Sequence, residues 1–323
     1  MKSELNEVIV FEPLFMERVW GGRRLETMLG KRLPSAERIG EAWELVDRAE
    51  AQSVVHNGAL KGLTLHELWS RHREEVFGTG LPEAPRFPLL FKLLDAQERL
   101  SVQVHPPADC AQRLGGEPKT EMWYLLDSLL GADIYAGLRA GVSREQFQAG
   151  LDDGTVGDMV HRIPVKKGDA LFIPSGRVHA IGAGNMIFEV QQNSDTTYRV
   201  FDWNRLGLDG LPRQLHVEES LESMDFSDTE PGVSAPQGEI LVECSFFRVE
   251  RWDLSAPRRD PGPGFSVWMV IEGEVACAGG RFGPGQFFLM PAALEDRELR
   301  PGPGGTSVLR TTIPASLPAS TPR

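Results

Sequence analysis

The fold is decided by a repeated stretch, GDALFIPSGRVH at residues 168–179 and GQFFLMPAALED at residues 285–296. Each copy contains a glycine, five mostly apolar residues and a proline, a pattern typical of a tight turn, a strand and a corner. Five residues after the proline, the first copy has His179 and the second has Asp296. The repeat predicts two related β units, of which only the first keeps a histidine at the corner. An ordinary strand and turn with a surface histidine is the alternative interpretation.

The rest of the chain follows the rhythm of an all-β protein with helical insertions. Short apolar runs alternate with Gly, Pro and Asn; these runs lie at 9–11, 42–46, 53–55, 100–105, 170–174 and 186–192. Capping-box patterns that begin at Thr64 and Ser143 predict two helices, the first reaching about Phe77. We interpret both helices as insertions on a β scaffold.

A polar, proline-containing stretch divides the chain. Residues 226–238, with the sequence FSDTEPGVSAPQG, predict a linker, after which β alternation resumes. We expect residues 1–225 to form a β domain with helical insertions and residues 239–315 to form a second β domain without metal ligands. Residues 316–323 are expected to form a loose tail.

Composition and charge exclude several classes of function. The 323 residues are 41% hydrophobic and carry a net charge of −12, which is typical of a globular protein and argues against nucleic-acid and anionic-membrane partners. The three cysteines lie far apart without C-x-x-C spacing, and no run is apolar enough for a membrane span. We therefore expect a cytoplasmic protein. Its oligomeric state, monomer or homodimer, stays open.

Alternating polar residues predict a metal site. In SVQVHP at 101–106, every second residue shares a strand face, so Gln103 and His105 point to one side. Glu121 enters another β-like run, and His179 ends the repeated stretch. Two imidazoles and two oxygen donors suit one borderline divalent ion. Zinc is the first candidate, with iron, manganese and cobalt as alternatives.

Each of these ligands also has an interpretation without a metal. Gln103 and His105 fit the solvent face of a half-buried strand. Glu121 fits a salt bridge with Lys119, two residues earlier in the chain. Because each residue alone is ambiguous, the prediction rests on their combination with His179.

Five short motifs follow one another along the chain: WGG at 20–22, GEAWE at 40–44, QVHP at 103–106, KTEMW at 119–123 and QQNSDTTYR at 191–199. In sequence and in order they resemble those of the type I mannose-6-phosphate isomerases, in their short bacterial form. The likeness covers the chain to about residue 205 and, more loosely, its second half. The repeated stretch itself resembles the second motif of the cupin superfamily. Together these resemblances imply two cupin-like jelly-roll barrels, with the metal site in the first.

The family resemblance also implies roles for single residues. The family's metal ligands fall on Gln103, His105, Glu121 and His179. Its active-site arginine falls on Arg199, and its pocket lysines fall on Lys119 and Lys92. The run at 175–177 departs from the family pattern, because Arg177 stands where a small residue is more common. This change alters the pocket rim without removing a ligand.

The reaction implied by the resemblance interconverts mannose 6-phosphate and fructose 6-phosphate through a cis-enediol. Glu189 and Lys119 are the candidate bases that move the proton between C1 and C2, and the sequence does not separate them. The forked guanidinium of Arg199 suits a phosphate or an enediolate. The residues expected to surround the sugar phosphate are Trp20, Lys92, Arg99, Ser101 and Arg177.

Two other functions stay open at this point. A non-catalytic sugar-binding or regulatory cupin protein would hold a ligand without turnover. A different cupin enzyme, such as an iron oxygenase, would favour a His-x-His pair and a facial triad. The chain has Gln103 in place of the first histidine of such a pair, which argues against the oxygenase.

Overall fold

The computed structural model describes residues 5–314, and strands predominate in this range. The strands of the N-terminal two thirds are β1 (Leu14–Gly22), β2 (Ile39–Leu45), β3 (Asp47–Arg48), β4 (Ala51–Gln52), β5 (Leu89–Ala96), β6 (Val102–Val104), β7 (Glu121–Ser128), β8 (Asp133–Leu138), β9 (Val160–Pro164), β10 (Ala170–Ile173), β11 (His179–Ile181), β12 (Asn185–Gln192) and β13 (Tyr198–Phe201). They form a six-stranded sheet, β1-β2-β5-β12-β7-β10, and a five-stranded sheet, β13-β6-β11-β8-β9. A short β3-β4 pair completes this half.

The remaining strands form a second pair of sheets. They are β14 (Ile240–Glu243), β15 (Arg248–Leu254), β16 (Arg258–Arg259), β17 (Ser266–Glu272), β18 (Val275–Cys277), β19 (Gly280–Phe282), β20 (Phe287–Met290), β21 (Glu298–Pro301) and β22 (Thr306–Thr312). Their sheet orders are β14-β15-β22-β17-β20 and β16-β21-β18-β19. The first of these orders repeats β2-β5-β12-β7-β10 of the N-terminal half, with antiparallel pairing throughout. This correspondence follows the repeat seen in the sequence.

Six α-helices lie within the described residues. They are α1 (Arg24–Leu29), α2 (Leu65–Arg71), α3 (Arg73–Phe77), α4 (Ala108–Ala111), α5 (Arg144–Asp153) and α6 (Val217–Ser223). Both predicted capping boxes are present, at Thr64 and Ser143. The helix predicted from Thr64 to about Phe77 is divided into α2 and α3, because His72 leaves the helical conformation. No helix among residues 5–314 is long and apolar enough to cross a membrane.

The six-stranded sheet is covered on both faces, and the period of two in its strands places the polar residues. On β5, Phe91 and Leu93 join the large core shared with the C-terminal half, whereas Lys92 points to the opposite side. On β12, Phe188 faces the same core and Glu189 faces the side of Lys92. One face of this sheet therefore builds the core and the other builds a polar cavity.

The two halves are joined by contacts outside the chain connection. The rings of Phe188 and Phe287 stack with centroids 5.9 Å apart. Ile9, near the start of the chain, pairs with Leu289 on β20 through two backbone hydrogen bonds of 2.8 Å. Residues at the beginning of the chain thus extend a C-terminal sheet.

The predicted β runs have mixed outcomes. The runs at 42–46, 100–105, 170–174 and 186–192 fall largely on β2, β6, β10 and β12. The runs at 9–11 and 53–55 form only isolated bridges. The predicted linker, residues 226–238, contains no helix or named strand and packs on the N-terminal half through Asp228 and Ser234. The predicted tail lies outside the described residues.

Candidate metal centre and substrate pocket

Three buried side chains from different strands converge on one point. His105 follows β6, Glu121 begins β7 and His179 begins β11. Their candidate ligand atoms all lie within 4.8 Å of one another. The register of the sheet contributes to this arrangement, because His179 pairs directly with Gln103 across β11 and β6. The structure therefore brings the four sequence-predicted ligands together.

Hydrogen bonds orient both imidazole rings. Nδ1 of His105 lies 2.8 Å from the carbonyl oxygen of Thr196, and Nδ1 of His179 lies 2.9 Å from that of Arg177. Because a carbonyl oxygen only accepts, each Nδ1 donates its hydrogen, and Nε2 of the neutral ring carries none. The two Nε2 atoms face the carboxylate of Glu121 at 3.4 and 3.5 Å.

Burial keeps both imidazoles neutral. It lowers the pKa of His105 to about 3, and the charge of Lys119 acts in the same direction. Burial also lowers the pKa of His179, although the carboxylate of Glu121 opposes the shift. A histidine binds a metal through its neutral ring, so both side chains are ready to serve as ligands at neutral pH.

The donor set fits a divalent metal ion. The amide nitrogen of Gln103 lies 3.3 Å from Nε2 of His179, and its amide oxygen accepts from Oγ of Ser101 at 3.3 Å. Turning the amide by 180° would place its oxygen toward the cluster as a metal ligand. Unprotonated nitrogens and carboxylate oxygens only accept hydrogen bonds, and buried acceptors that face one another are stable when a cation lies among them. Two imidazoles, a carboxylate and an amide are ligands that borderline divalent ions take.

Lys119 lies between this cluster and the cavity. Its Nζ is 2.7 Å from Oε2 of Glu121 and 3.2 Å from Nε2 of His105. Burial acts to lower the pKa of Lys119, but the carboxylates of Glu121 and Glu189 outweigh it and raise the pKa above that of an ordinary lysine.

A cavity of about 620 Å³ opens in front of the cluster. The sequence-predicted residues that line it are Trp20, Lys92, Ser101, Gln103, Lys119, Glu189 and Arg199. Trp20 is only 3% exposed and also packs in the hydrophobic cluster between the two N-terminal sheets. Trp20 therefore lies both in a hydrophobic core and in the cavity wall.

Glu189 presents one free carboxylate oxygen to this cavity. Its Oε2 accepts a hydrogen bond of 3.0 Å from Nε1 of Trp123. Its Oε1 is buried and accepts no hydrogen bond from any residue between 5 and 314. Burial, and then the charge of Glu121, raise the pKa of Glu189 above the usual glutamate range.

Arg199 carries a charge without a carboxylate partner among the described residues. Its Nε donates to Oγ of Ser101 at 3.3 Å, and its Nη1 donates to the carbonyl oxygen of Gln214 at 2.9 Å. Asp202, three residues further along the chain, is held by Arg205 and Arg213. Burial and the nearby Arg213 lower the pKa of Arg199. The guanidinium is therefore free to bind an anion.

Two arginines expected in the pocket lie elsewhere. Arg177 makes a two-pronged ion pair with Asp228, at 2.7 and 2.8 Å, and donates to the carbonyl oxygen of Phe172. Arg99 stacks on the ring of Trp203, 4.3 Å from its centroid. Neither lines the cavity, because each guanidinium is already engaged by local partners.

Six charged residues of the cavity wall were missed in the sequence. They are Glu17, Arg18, Glu41, Asp195, Asp209 and Arg213. Arg18 lies two residues before Trp20 on β1, and Glu41 lies two residues before Trp43 on β2. Because residues two apart in a strand share a face, this spacing could have placed Arg18 and Glu41 on the cavity side. No pattern around Arg213 indicates its position, because it lies in the irregular segment between β13 and α6.

Comparisons with known proteins agree on one family. The family model described as "Phosphomannose isomerase type I, catalytic domain" matches residues 9–124. The chain is 39% identical to mannose-6-phosphate isomerase ManA of Bacillus subtilis (strain 168), over 91% of this chain and 96% of that protein. It is 41% identical to a mannose-6-phosphate isomerase of Streptococcus mutans, over 76% and 79% of the two chains.

A solved structure supports the same assignment. The crystal structure of the mannose 6-phosphate isomerase from Bacillus subtilis superposes with a TM-score of 0.84 and 33% identity, covering 95% of this chain and 99% of that one. Both the sequence and the fold therefore match over nearly the whole length. From these matches and the geometry above, the chain belongs to the type I phosphomannose isomerase family.

Proposed function

We propose that the chain interconverts mannose 6-phosphate and fructose 6-phosphate by metal-dependent isomerisation through a cis-enediol. The observation that carries the proposal is the convergence of His105, Glu121 and His179 behind a cavity that contains a free carboxylate oxygen of Glu189. Relatives named for this reaction align with most of the chain, which supports the same chemistry here.

Gln103, His105, Glu121 and His179 are the proposed ligands of one Zn²⁺ ion. The Thr196 and Arg177 carbonyl oxygens hold the two rings with Nε2 toward the ion, as outer partners of metal ligands commonly do. When bound, a divalent ion supplies Lewis-acid polarisation of substrate oxygens.

Glu189 is the proposed general base. Its free Oε1 takes a proton from one of the two carbons, C1 or C2, and returns it to the other, so that an aldose becomes a ketose. Lys119 is less suited to this task because its ammonium is bound to Glu121 at 2.7 Å. We assign Lys119 instead to stabilising negative charge that develops on substrate oxygen.

Arg199 is the proposed anion-binding residue. It has a guanidinium without a carboxylate partner in the described part of the chain, and Ser101 and Gln214 fix its orientation. Lys92 and Ser101 add donors in the same cavity, and Trp20 contributes an apolar wall for the sugar. These groups would hold the phosphate and the hydroxyls while the proton moves.

The architecture proposed for this function is a pair of cupin-like jelly-roll barrels. The first would comprise residues 1–225 and the second residues 239–315, joined by the linker at 226–238. The matching strand orders of the two halves support this division. The pairing of Ile9 with Leu289 adds that the first residues of the chain contact the second unit.

The experiment is a coupled assay for fructose 6-phosphate formed from mannose 6-phosphate. Purified protein is assayed as isolated, after verified metal removal by a chelator, and after reloading with Zn²⁺. We expect turnover to disappear on removal and to return on reloading. Full activity in the metal-free protein would contradict the metal mechanism, and binding of the sugar phosphate without turnover in the loaded protein would favour a non-catalytic sugar-binding role.

A further inference from the structure

Six charged side chains alternate in sign along one face of the six-stranded sheet. We name this row the charge ladder; its members are Arg18, Glu41, Lys92, Glu189, Lys119 and Glu121. The shortest separations between neighbours are 3.0, 3.9, 3.5, 3.9 and 2.7 Å in that order. The ladder runs from the edge strand β1 to Glu121, one of the proposed metal ligands, and each intermediate charge has opposite charges on both sides.

Glu189 lies in the middle of the ladder with one oxygen unbonded. Lys92 Nζ and Lys119 Nζ lie 3.5 and 3.9 Å from its Oε1, and neither makes a hydrogen bond with it. Two buried ammonium groups this close would ordinarily approach to bonding distance. Something must therefore hold them back, and for Lys119 it is Glu121, at 2.7 Å.

For Lys92 the opposing carboxylate is Glu41. Glu41 Oε2 lies 3.9 Å from Lys92 Nζ, on the side away from Glu189. Glu41 cannot itself move to Lys92, because Arg18 binds its two oxygens at 3.0 and 3.1 Å and Nε1 of Trp43 donates to it at 2.6 Å. The ammonium also lies 5.0 Å from the centroid of the Trp43 ring, which adds a cation–π attraction on the same side.

We propose that Glu41 is a positioning residue whose fixed negative charge holds Lys92 away from Glu189 and so keeps Oε1 of Glu189 free to exchange a proton with the substrate. The inference rests on the proposed function of Glu189 as the base. Glu189 is already the nearer of the two carboxylates, at 3.5 Å against 3.9 Å for Glu41. Without the opposing charge at position 41, a movement of less than about 1 Å closes the pair of Lys92 and Glu189 to the length of a charge-assisted hydrogen bond. The closed pair occupies the oxygen that the reaction needs.

The test is Glu41→Gln, which keeps the size of the side chain and removes its charge. We expect kcat to fall roughly 10- to 100-fold, part of the ~10²- to 10⁴-fold that a general base supplies, with KM changed by less than about twofold. The bound metal per chain, measured by mass spectrometry, should stay unchanged. A purely structural role would lower only the folded fraction, so kcat is calculated per folded, metal-loaded chain, and on that basis a structural role predicts the wild-type value.

A double-mutant cycle with Lys92→Met isolates the mechanism. If Glu41 acts by holding Lys92, Glu41→Gln should change kcat by less than about twofold in the Lys92→Met background. The milder Trp43→Phe variant removes the indole donor to Glu41 and provides a second probe if Glu41→Gln folds poorly. It should lower kcat roughly 3- to 10-fold, and again only when Lys92 is present.

Glu44→Gln is the matched control. Glu44 lies on the same strand, is 3% exposed and pairs with Lys31 at 2.6 Å, but it does not line the substrate cavity. We expect a lower stability with kcat and KM unchanged. An unaltered kcat in Glu41→Gln, or the same loss with and without Lys92, would overturn the inference while leaving the isomerase function intact. Absence of turnover in the wild-type protein would instead count against the proposed function.

Discussion

Two equivalent regions of the molecule use buried charge in opposite ways. Register across the sheets matches β7 with β17 and β12 with β22, so that Glu121 corresponds to Ser266 and Trp123 to Trp268. By the same register, Glu189 on β12 corresponds to Arg310 on β22. The strand next to each carries Lys92 in the first half and Glu250 in the second. The signs of this charged pair are therefore reversed between the halves.

The two halves also differ in whether their buried charged groups are fully paired. In the C-terminal half, Arg310 binds Glu250 and Asp260, and Asp260 also binds Arg297 at 2.5 Å and accepts from Ser266 at 2.6 Å. Every charge in that cluster has a partner within the half. In the N-terminal half, Gln103 of the ligand cluster and Glu189, whose Oε1 accepts no hydrogen bond from the described residues, instead line a cavity. The same strand arrangement thus makes a self-contained core in one half and a reactive site in the other.

The largest expected difference between the halves concerns the two corner residues of the repeat. We expect His179→Ala to lower kcat at least ~10³-fold, because a single lost electrostatic donor commonly costs ~2.7 to 4 kcal/mol and a metal ligand more. Asp296→Ala should leave kcat within about twofold. The measurement is the coupled fructose 6-phosphate assay on both purified variants. Equal effects of the two substitutions would contradict the functional asymmetry.

In the C-terminal half, we expect a substitution in the charged cluster to lower stability and to leave activity unchanged. Asp260→Ala leaves Arg297 and Arg310 buried without their shared carboxylate, which should cost about 3 to 5 kcal/mol of unfolding free energy. Urea unfolding followed by circular dichroism measures this loss, and the turnover of the fraction that remains folded should be that of the wild type. Asp260→Asn, which keeps the shape and part of the hydrogen bonding, should lose less. A stability equal to wild type in both variants would show that the cluster is not structural.

Acid should lower the stability that Glu41 contributes through the charge ladder, over a limited pH range. Burial acts to raise the pKa of Glu41, but Lys92 and Arg18 outweigh it and lower the pKa to about 2, from an ordinary value of 4.5. Because the unfolded carboxyl takes its proton first, the stabilisation is complete above pH 4.5 and is lost as the pH falls from 4.5 towards 2. This difference between the pKa of Glu41 in the folded and unfolded protein corresponds to ~3 kcal/mol of unfolding free energy.

This prediction is checked by urea unfolding of wild type and Glu41→Gln between pH 7 and pH 3. The stability difference between them should shrink as the pH falls below 4.5. A difference that stays constant over this range would mean that the charge of Glu41 contributes nothing to stability.

The smallest expected effect on activity comes from a comparison of Arg199, which has no carboxylate partner among the described residues, with Arg310, which has two. Arg199→Lys should lower kcat/KM roughly 10- to 30-fold, mainly through KM, because a lysine loses one of the ~1.5 to 3 kcal/mol bonds that a guanidinium makes to an anion. Arg310→Lys, in the equivalent charged cluster, should lower stability and leave KM unchanged. Titration with fructose 6-phosphate and urea unfolding separate the two outcomes. A KM for Arg199→Lys equal to wild type would remove Arg199 from the anion site.

The positions of Gln103, His105 and His179 were indicated by strand periodicity and a local repeat, whereas Glu121 was indicated only in combination with them. Gln103 and His105 share a face at a spacing of two, and His179 ends a repeat. The pocket arginines were less predictable, because a charge alone does not reveal its partner. Arg177 is captured by Asp228, 51 residues away in the chain, and only the tertiary fold shows this pairing.

The limits of the predicted strands have a similar cause. The runs at 9–11 and 53–55 look like strands by composition, yet each forms only isolated bridges. These bridges join Ile9 to Leu289 on β20, Phe11 to Val55 and Val54 to Thr64. The break at His72 was also hidden, since the residues on both sides of it favour a helix. Local propensity identifies such segments, and long-range pairing decides their length.

The pairing of Ile9 with Leu289 has a consequence for dissecting the molecule. A truncated protein that ends in the segment 226–238 would lose the partner of its first residues and uncover Phe188, whose ring stacks on Phe287 in the intact chain. Exposed strand edges beside apolar rings promote aggregation. The two halves should therefore be insoluble when produced separately and should recover only when co-expressed.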